Sequence, residues 1–427
     1  MKISYLRWAI EKGQLDSRFA SLYGADAVEW QRRRYIRALD RFAINFGDGR
    51  EDRNVRVYSV SGRSEISGNH TDHNGGCIIG CAIDLDLIAV VSAREDGVIE
   101  LRSEGFEPDI VRVGDGTAYP RFSSASLISG IAEQIAERGY TVGGFDAYTA
   151  SDVLRGSGLS SSAAFEMGMA SIWNEEYSTG LTPAELAGIC QYAENTYFGK
   201  PSGLLDQLTS AVGGIIFADF ADPHTPKIEK LHADGLLPEG MFLCVTDTRG
   251  SHSELTGEFA AIRQEMEQVA ACFGKPLLGQ VQETAFWAAL PTLRSRCGDR
   301  AVLRAIHYFE ENARTLAQRD ALYAKQFPVF AGLVKQSGQA SFALCQNVYC
   351  TADVRHQGLS VALALSQSIL EGNEGAWRMQ GGGFAGTIQA YVPGRLLGRY
   401  HTAIERVFGQ GSCYVLRLRE QGAVRVI

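Results

Sequence analysis

A chain of 427 residues, 45% hydrophobic and 21% charged, has the composition of a globular protein with apolar material for two or three cores, not of a disordered one. Its formal net charge of −8 excludes nucleic-acid binding through the phosphate backbone, which needs a basic face, and no apolar run reaches the length of a membrane span. The start Met1-Lys2-Ile3-Ser4 carries no secretory signal. Nine scattered cysteines without CxxC spacing read as reduced thiols, so the expected location is the cytoplasm.

The first fifty residues read as helical. Ile36, Leu39 and Phe42 fall at helical spacing behind the basic run from Arg32 to Arg34, which is then a solvated face. From Val55 the pattern becomes strand, with Val55 and Val57 alternating with Arg56 and Tyr58. A β-rich run over 83–91 follows, and Asp96-Gly97 predicts a tight hairpin into Val98 to Leu101. Leu127, Ile128, Ile131 and Ile135 mark a helix stopping near Gly139, and 145–150 is a short strand. A Gly/Ser loop leads into a helix from Ser161. Thr182-Pro183-Ala184-Glu185 is a capping box that starts the next one. Strands are expected at 215–220, 241–246, 387–392 and 413–418, with a long helix after Ser253. Strands and helices interleave without strict alternation, which predicts an α+β protein of two parts, 1–220 and 221–427.

Four segments carry chemistry. Gly156-Ser157-Gly158-Leu159-Ser160-Ser161-Ser162-Ala163 lies between a strand and a helix. Its glycines let backbone N–H groups approach an anion, and the helix start adds unpaired donors. It is not a Walker A loop, because no Gly-Lys-Ser/Thr follows; an ordinary helix-capping loop is the alternative. The second segment, Gly62 to Gly76, packs Arg63, Glu65, Asn69, His70, Asp72 and His73 between two strands. Such density suits a polyhydroxylated ligand, whose hydroxyls each need a donor or acceptor; His70, Asp72 and His73 as zinc ligands are the alternative. The third segment, Gly203-Leu204-Leu205-Asp206-Gln207, sets one acid among leucines. The fourth, Gly381 to Gly386, contains GxGxxG, the dinucleotide fingerprint of an oxidoreductase, but it precedes a strand-like stretch where that motif needs a helix.

Together the four segments resemble the GHMP kinase superfamily and, within it, the galactokinases. The resemblance runs from about Val55 to Val392. Residues 61–76 are similar to the galactokinase signature, 156–164 to the phosphate loop, 203–207 to Gly-x-x-Asp-Gln and 381–386 to the third, glycine-rich motif. It implies a two-lobed fold, with an N-terminal lobe like ribosomal protein S5, a ferredoxin-like C-terminal lobe and the active site in the cleft between them. It implies ATP and Mg²⁺ as cofactors and a small sugar as partner, and the chain is expected to be a monomer. By the same resemblance Asp206 is the catalytic carboxylate at the sugar's anomeric hydroxyl, with Arg63 beside it and the transferred phosphate. Ser162 and Glu194 match the Mg²⁺ ligands. Residues 156–163 hold the phosphates, and Asn69, His70, Asp72, Gly203 and Phe259 face the sugar.

Several positions depart from the family pattern. Glu65 stands where asparagine is usual, Asn69 where an acid is usual, His73 and Phe259 where tyrosines are usual, and Leu154 where proline is usual. Asn69 and His73 bear on the C6 end of the sugar and make a C6-modified sugar such as galacturonate the alternative; galactose is the expected substrate, because the rest of the first motif is galactokinase-like and asparagine can still bond a 6-hydroxyl. A non-catalytic sugar sensor is the rival of another class; intact Arg63, Ser162, Glu194 and Asp206 argue against it.

Overall fold

The computed structural model describes residues 1–47, 53–153, 159–200, 202–222, 225–231, 237–250 and 255–427. Three helices open the chain, α1 (Ile3–Glu11), α2 (Asp16–Tyr23) and α3 (Val28–Phe46). They are followed by β1 (Arg56–Ser67), β2 (Cys77–Arg94), β3 (Val98–Ser103), β4 (Asp109–Arg112), α4 (Ser124–Glu137), β5 (Gly144–Ser151), α5 (Ser161–Glu176), α6 (Pro183–Ala193) and α7 (Leu205–Val212). Next come β6 (Ile215–Asp219), β7 (Lys227–Leu231), β8 (Met241–Asp247), α8 (Thr256–Ala271), α9 (Glu283–Ala288), α10 (Leu290–Cys297), α11 (Asp299–Tyr323), α12 (Phe327–Ala340) and α13 (Gly358–Leu370). The chain ends with β9 (Ala376–Gln380), β10 (Thr387–Pro393), α14 (Gly394–Phe408), β11 (Cys413–Leu416) and β12 (Val424–Arg425).

The first sheet runs β12-β1-β2-β5-β3-β4, with β6 and then β7 added beside the other half of β2. It is covered on both faces, which explains its long apolar runs. On β2, Ile88 and Val90 point to the cluster of α1, α2 and α3, while Leu87, Ala89 and Val91 point to the cluster of α4, α5 and α6. This is the period of two expected of a strand. The predicted capping box is formed: Thr182 Oγ1 accepts from the Glu185 amide at 3.3 Å, and the Thr182 amide donates to Glu185 Oε2 at 2.8 Å. The expected hairpin at Asp96-Gly97 is not formed. β5 inserts between β2 and β3, pairing antiparallel with the first and parallel with the second. Asp96 instead stops the strand, taking Arg94 and the Val98 amide on its carboxylate.

The second sheet has the order β11-β8-β10-β9. Numbered along the chain this is 4-1-3-2, the split β-α-β arrangement. The glycine-rich segment before β10 is therefore the turn between two antiparallel strands, and no helix follows it as a dinucleotide site would need. The two sheets meet where the end of β1 packs on β9 and β10: Ser64 Oγ donates to Gln380 Oε1 at 2.7 Å, and Gln389 Nε2 donates to the Glu65 carbonyl at 2.7 Å. β1 has register shifts between Ser61 and Arg63 and between Glu65 and Ser67. Such irregularities re-aim side chains, and here they flank the two charged residues of the strand's end. All nine cysteines are free thiols.

Candidate active site

Three of the four segments converge on one carboxylate. Asp206 lies in the first turn of α7, where the helix dipole favours negative charge. Arg63, on β1, meets it with two parallel bonds: Nε to Oδ1 at 2.6 Å and Nη2 to Oδ2 at 2.8 Å. Ser160, just before α5, donates its hydroxyl to the same Oδ2. The Arg63 amide donates to the Leu159 carbonyl at 3.3 Å, fixing the end of the Gly/Ser loop to β1. Burial pushes the Asp206 carboxyl up, but the Arg63 charge, its hydrogen bonds and the Ser160 hydroxyl outweigh burial and hold it below the usual carboxylate range. Arg63 is only 5% exposed, and Asp206 is the nearest of the acids that offset the burial of its charge, with Glu65 adding to it.

The loop between β1 and β2 supplies the next groups. A Cβ on Gly203 would sit 1.7 Å from Asp72 Oδ2, so only glycine lets the approach to α7 lie against that carboxylate. Burial raises Asp72 to about 6, and the nearby Asp206 adds to the rise. His70 takes a left-handed backbone at φ 60°, and its Nε2 lies 3.0 Å from the Gly382 carbonyl. A carbonyl only accepts, so Nε2 carries the proton and Nδ1 is the acceptor for His73 Nε2 at 3.1 Å. His73 Nδ1 then accepts from Asn74 Nδ2 at 2.8 Å. Each ring is thus neutral with the proton on Nε2. Burial agrees: it lowers His70 to about 4 and His73 well below the usual histidine value. These nitrogens are spent on protein partners. Among the described residues no group of three or more His, Cys, Asp or Glu side chains is placed to hold a metal.

Asn69, expected to face the sugar, has its amide turned inward and is 1% exposed. Phe259, on the first turn of α8, packs edge-on against Phe384 at 5.4 Å, and a Cβ on Gly382 would strike its ring at 2.5 Å. Ser161 and Ser162 open α5 half-buried, and Ala163 is buried behind them. Gly156, Ser157 and Gly158 lie outside the described residues, as does Leu154.

Glu194 closes the far side. Its Oε1 takes the Lys200 ammonium at 2.6 Å, and its Oε2 takes Ser202 Oγ and Gln207 Nε2. Gln207 also donates to Glu166 at 3.0 Å. Glu166, on α5, was not singled out from the sequence, because one acid in an apolar helix carries no local signal. It is fully buried, and burial raises its carboxyl well above the usual value. Its Oε1 and Gln207 Oε1 have no partner among the described residues. A cation already stands on Glu194 in the form of Lys200, and unpartnered oxygens lie behind it. The hydroxyl of Ser162 and the carboxylate of Glu194 are the hard oxygen donors a Mg²⁺ ion takes, so the residues fit that ion.

Residues 126–214 match the GHMP kinases N terminal domain, and residues 40–93 match the galactokinase galactose-binding signature. A galactokinase of Streptomyces coelicolor is 33% identical over 368 residues, covering 85% of this chain and 91% of that protein. The structure of Lactococcus lactis galactokinase complexed with galactose superposes with a TM-score of 0.78 at 22% identity, covering 90% of this chain and 98% of that one. Methanococcus jannaschii mevalonate kinase superposes at 0.61 and 14%, covering 86% and 98%. The fold is the two-lobed α+β fold of these kinases. The chain belongs to the galactokinase family of the GHMP kinases, ATP-using phosphotransferases with a sugar hydroxyl as acceptor.

Proposed function

We propose that the chain transfers the γ-phosphate of ATP to the anomeric hydroxyl of galactose, giving galactose 1-phosphate and ADP. The observation that carries this reading is the two-bond pair of Arg63 and Asp206, with Ser160 of the phosphate loop on the same carboxylate. The pair makes Asp206 ionised but a weak base. An arriving γ-phosphate gives Arg63 a second anion to serve, and each share of that cation withdrawn from Asp206 raises its proton affinity. The base thus strengthens when the phosphate is in place. Arg63 offsets charge on the transferred group, and the sugar hydroxyl loses its proton to Asp206.

Asp72, Gly203 and Phe259 form the sugar side with the ring face of His70, whose two nitrogens stay on Gly382 and His73, and residues 156–163 hold the phosphates. Ser162 and Glu194 would hold Mg²⁺ in place of Lys200, and the ion, when bound, would supply charge neutralisation at the phosphates. We further propose lobes of 1–220 and 221–427, with β7 and β12 of the second part completing the first sheet, a monomer, and a cytoplasmic location. No helix among the described residues is long and apolar enough to cross a membrane. A neutral His70–His73 pair offers no cation to a C6 carboxylate, which favours galactose over galacturonate.

The test is ADP release with purified protein, ATP and Mg²⁺ across galactose, galacturonate and glucose. Galactose is expected to give the highest kcat/KM. Preferred turnover of galacturonate would overturn the substrate, and galactose binding without ADP release would make the protein a sensor.

A further inference from the structure

We propose that Glu65, Arg378 and Asn69 form one buried positioning unit that fastens the sugar loop to the C-terminal glycine turn, and that Asn69 does not read the sugar. The inference rests on the sugar-kinase reading above and deepens it.

The hydrogen bonds assign both polar side-chain atoms of Asn69 and its backbone carbonyl. Nδ2 donates to Glu65 Oε1 at 3.1 Å and to the Gly381 carbonyl at 2.6 Å. Both partners are acceptors, so the amide cannot be flipped and both its protons are consumed. Oδ1 accepts from Asn347 Nδ2 at 2.8 Å, and that same nitrogen donates to the Gly382 carbonyl at 3.2 Å. The Asn69 carbonyl takes His307 Nε2 at 2.9 Å. The carboxylate that orients Asn69 is itself anchored. Arg378, fully buried on β9, gives Nη2 to Glu65 Oε1 at 2.7 Å, Nη1 to the Ile66 carbonyl at 2.9 Å and Nε to the Met379 carbonyl at 3.0 Å.

The consequence reaches the sugar through the next residue. His70 follows Asn69 in the left-handed region and bonds the Gly382 carbonyl. Asn69 therefore fixes the same turn on which His70 rests, and the Phe259 ring packs against Gly382 of that turn. The acid at 65 and the amide at 69 are one pair. A second acid at 69 would set two carboxylates together with a carbonyl facing them, in a site closed to water.

The test compares galactose with 6-deoxygalactose in wild type and Asn69→Ala. A positioning role lowers kcat/KM for both sugars by the same factor, about 10- to 100-fold, since loosened geometry affects any substrate. A fall for galactose alone, with 6-deoxygalactose unchanged, would show that Asn69 reads the C6 hydroxyl and would overturn the proposal. Amide hydrogen exchange without substrate makes the result independent of the reaction. Asn69→Ala is expected to speed exchange in 68–76 and in 381–386 together, and unchanged exchange at 381–386 overturns the proposal even if the substrate is another sugar. If wild type does not turn over galactose, the substrate reading fails while the exchange result still decides this one. Should Asn69→Ala not fold, Glu65→Gln keeps the shape, removes the charge and carries the same two readouts.

Discussion

Replacing Asp206 by asparagine separates the chemistry of the site from its structure. The amide keeps the shape and one acceptor, so Arg63 and Ser160 each retain a bond, but the charge and the proton-accepting function are gone. General-base catalysis is worth about 10²- to 10⁴-fold, or about 2.7 to 5.5 kcal/mol in the barrier. The loss in kcat at saturating ATP and galactose should fall in that range. Stability responds through a second route. Arg63 is 5% exposed, and leaving a buried cation without its partner costs about 3–5 kcal/mol. The Asp206 side chain is 31% exposed and the amide oxygen still accepts, so the expected loss is about half of that, roughly 2 kcal/mol. Kinetics by ADP release, ATP affinity by calorimetry and unfolding by circular dichroism read the three quantities separately. ATP affinity should stay within about threefold of wild type, well under the tenfold that 1.4 kcal/mol represents. A folded variant keeping more than about a tenth of wild-type kcat would refute the assignment of Asp206 as an essential base.

Gly203→Ala should raise KM for the sugar and lower the melting temperature, because the new Cβ would lie 1.7 Å from Asp72 Oδ2; unchanged sugar kinetics would separate Asp72 from the sugar. His70 is lowered to about 4 by burial, so the unfolded chain binds a proton there first and stability falls as pH drops from about 6.5 to about 4, by at most about 3 kcal/mol. Asp72 and Glu65, raised by burial to about 6 and about 7, act with the opposite sign in an overlapping window. The measurement is therefore the difference in unfolding free energy between wild type and His70→Asn, asparagine being tolerant of the left-handed backbone; a difference independent of pH would contradict the neutral histidine. Thr182→Ala should cost about 1 kcal/mol by removing the capping box of α6, read as a lower denaturant midpoint with unchanged kcat.

The elements that sequence made legible are those whose signal is local. The capping box at Thr182, the stop of α4 before Gly139, the alternation that opens β1 and the continuous β-rich run of β2 each follow from neighbouring residues. The Asp96-Gly97 turn misled for the opposite reason. Nothing local records that β5, some fifty residues later, enters between β2 and β3. α11 was illegible in a different way. Arg304, His307, Glu311, Thr315 and Gln318 recur at helical spacing and are fully buried beside the apolar Ala301, Val302, Ala305 and Tyr308, so a reading that turns polar stripes outward leaves that stripe in solvent. It is buried because it holds the loop between β1 and β2: His307 donates to the Asn69 carbonyl, Glu311 takes the Gly68 amide at 3.4 Å, Asn312 the Cys77 amide at 2.7 Å and Thr315 meets the Ser67 hydroxyl at 2.9 Å.

The motif residues themselves were legible, and their departures were not. Arg63, Asp206 and Ser160 come together because three chain segments end at one point, and each segment carries its own pattern. Glu65 and Asn69 read separately as two changes to the sugar pocket, each removing a usual group. In the fold they touch, and Arg378, more than three hundred residues later, neutralises the acid at 65. An acid at 65 needs a buried cation opposite it, and an amide at 69 is what can donate both to that acid and to the Gly381 carbonyl. Two departures that would each be damaging alone are thus mutually required. A single sequence cannot reveal that, because which departures compensate depends on which side chains share a site closed to water.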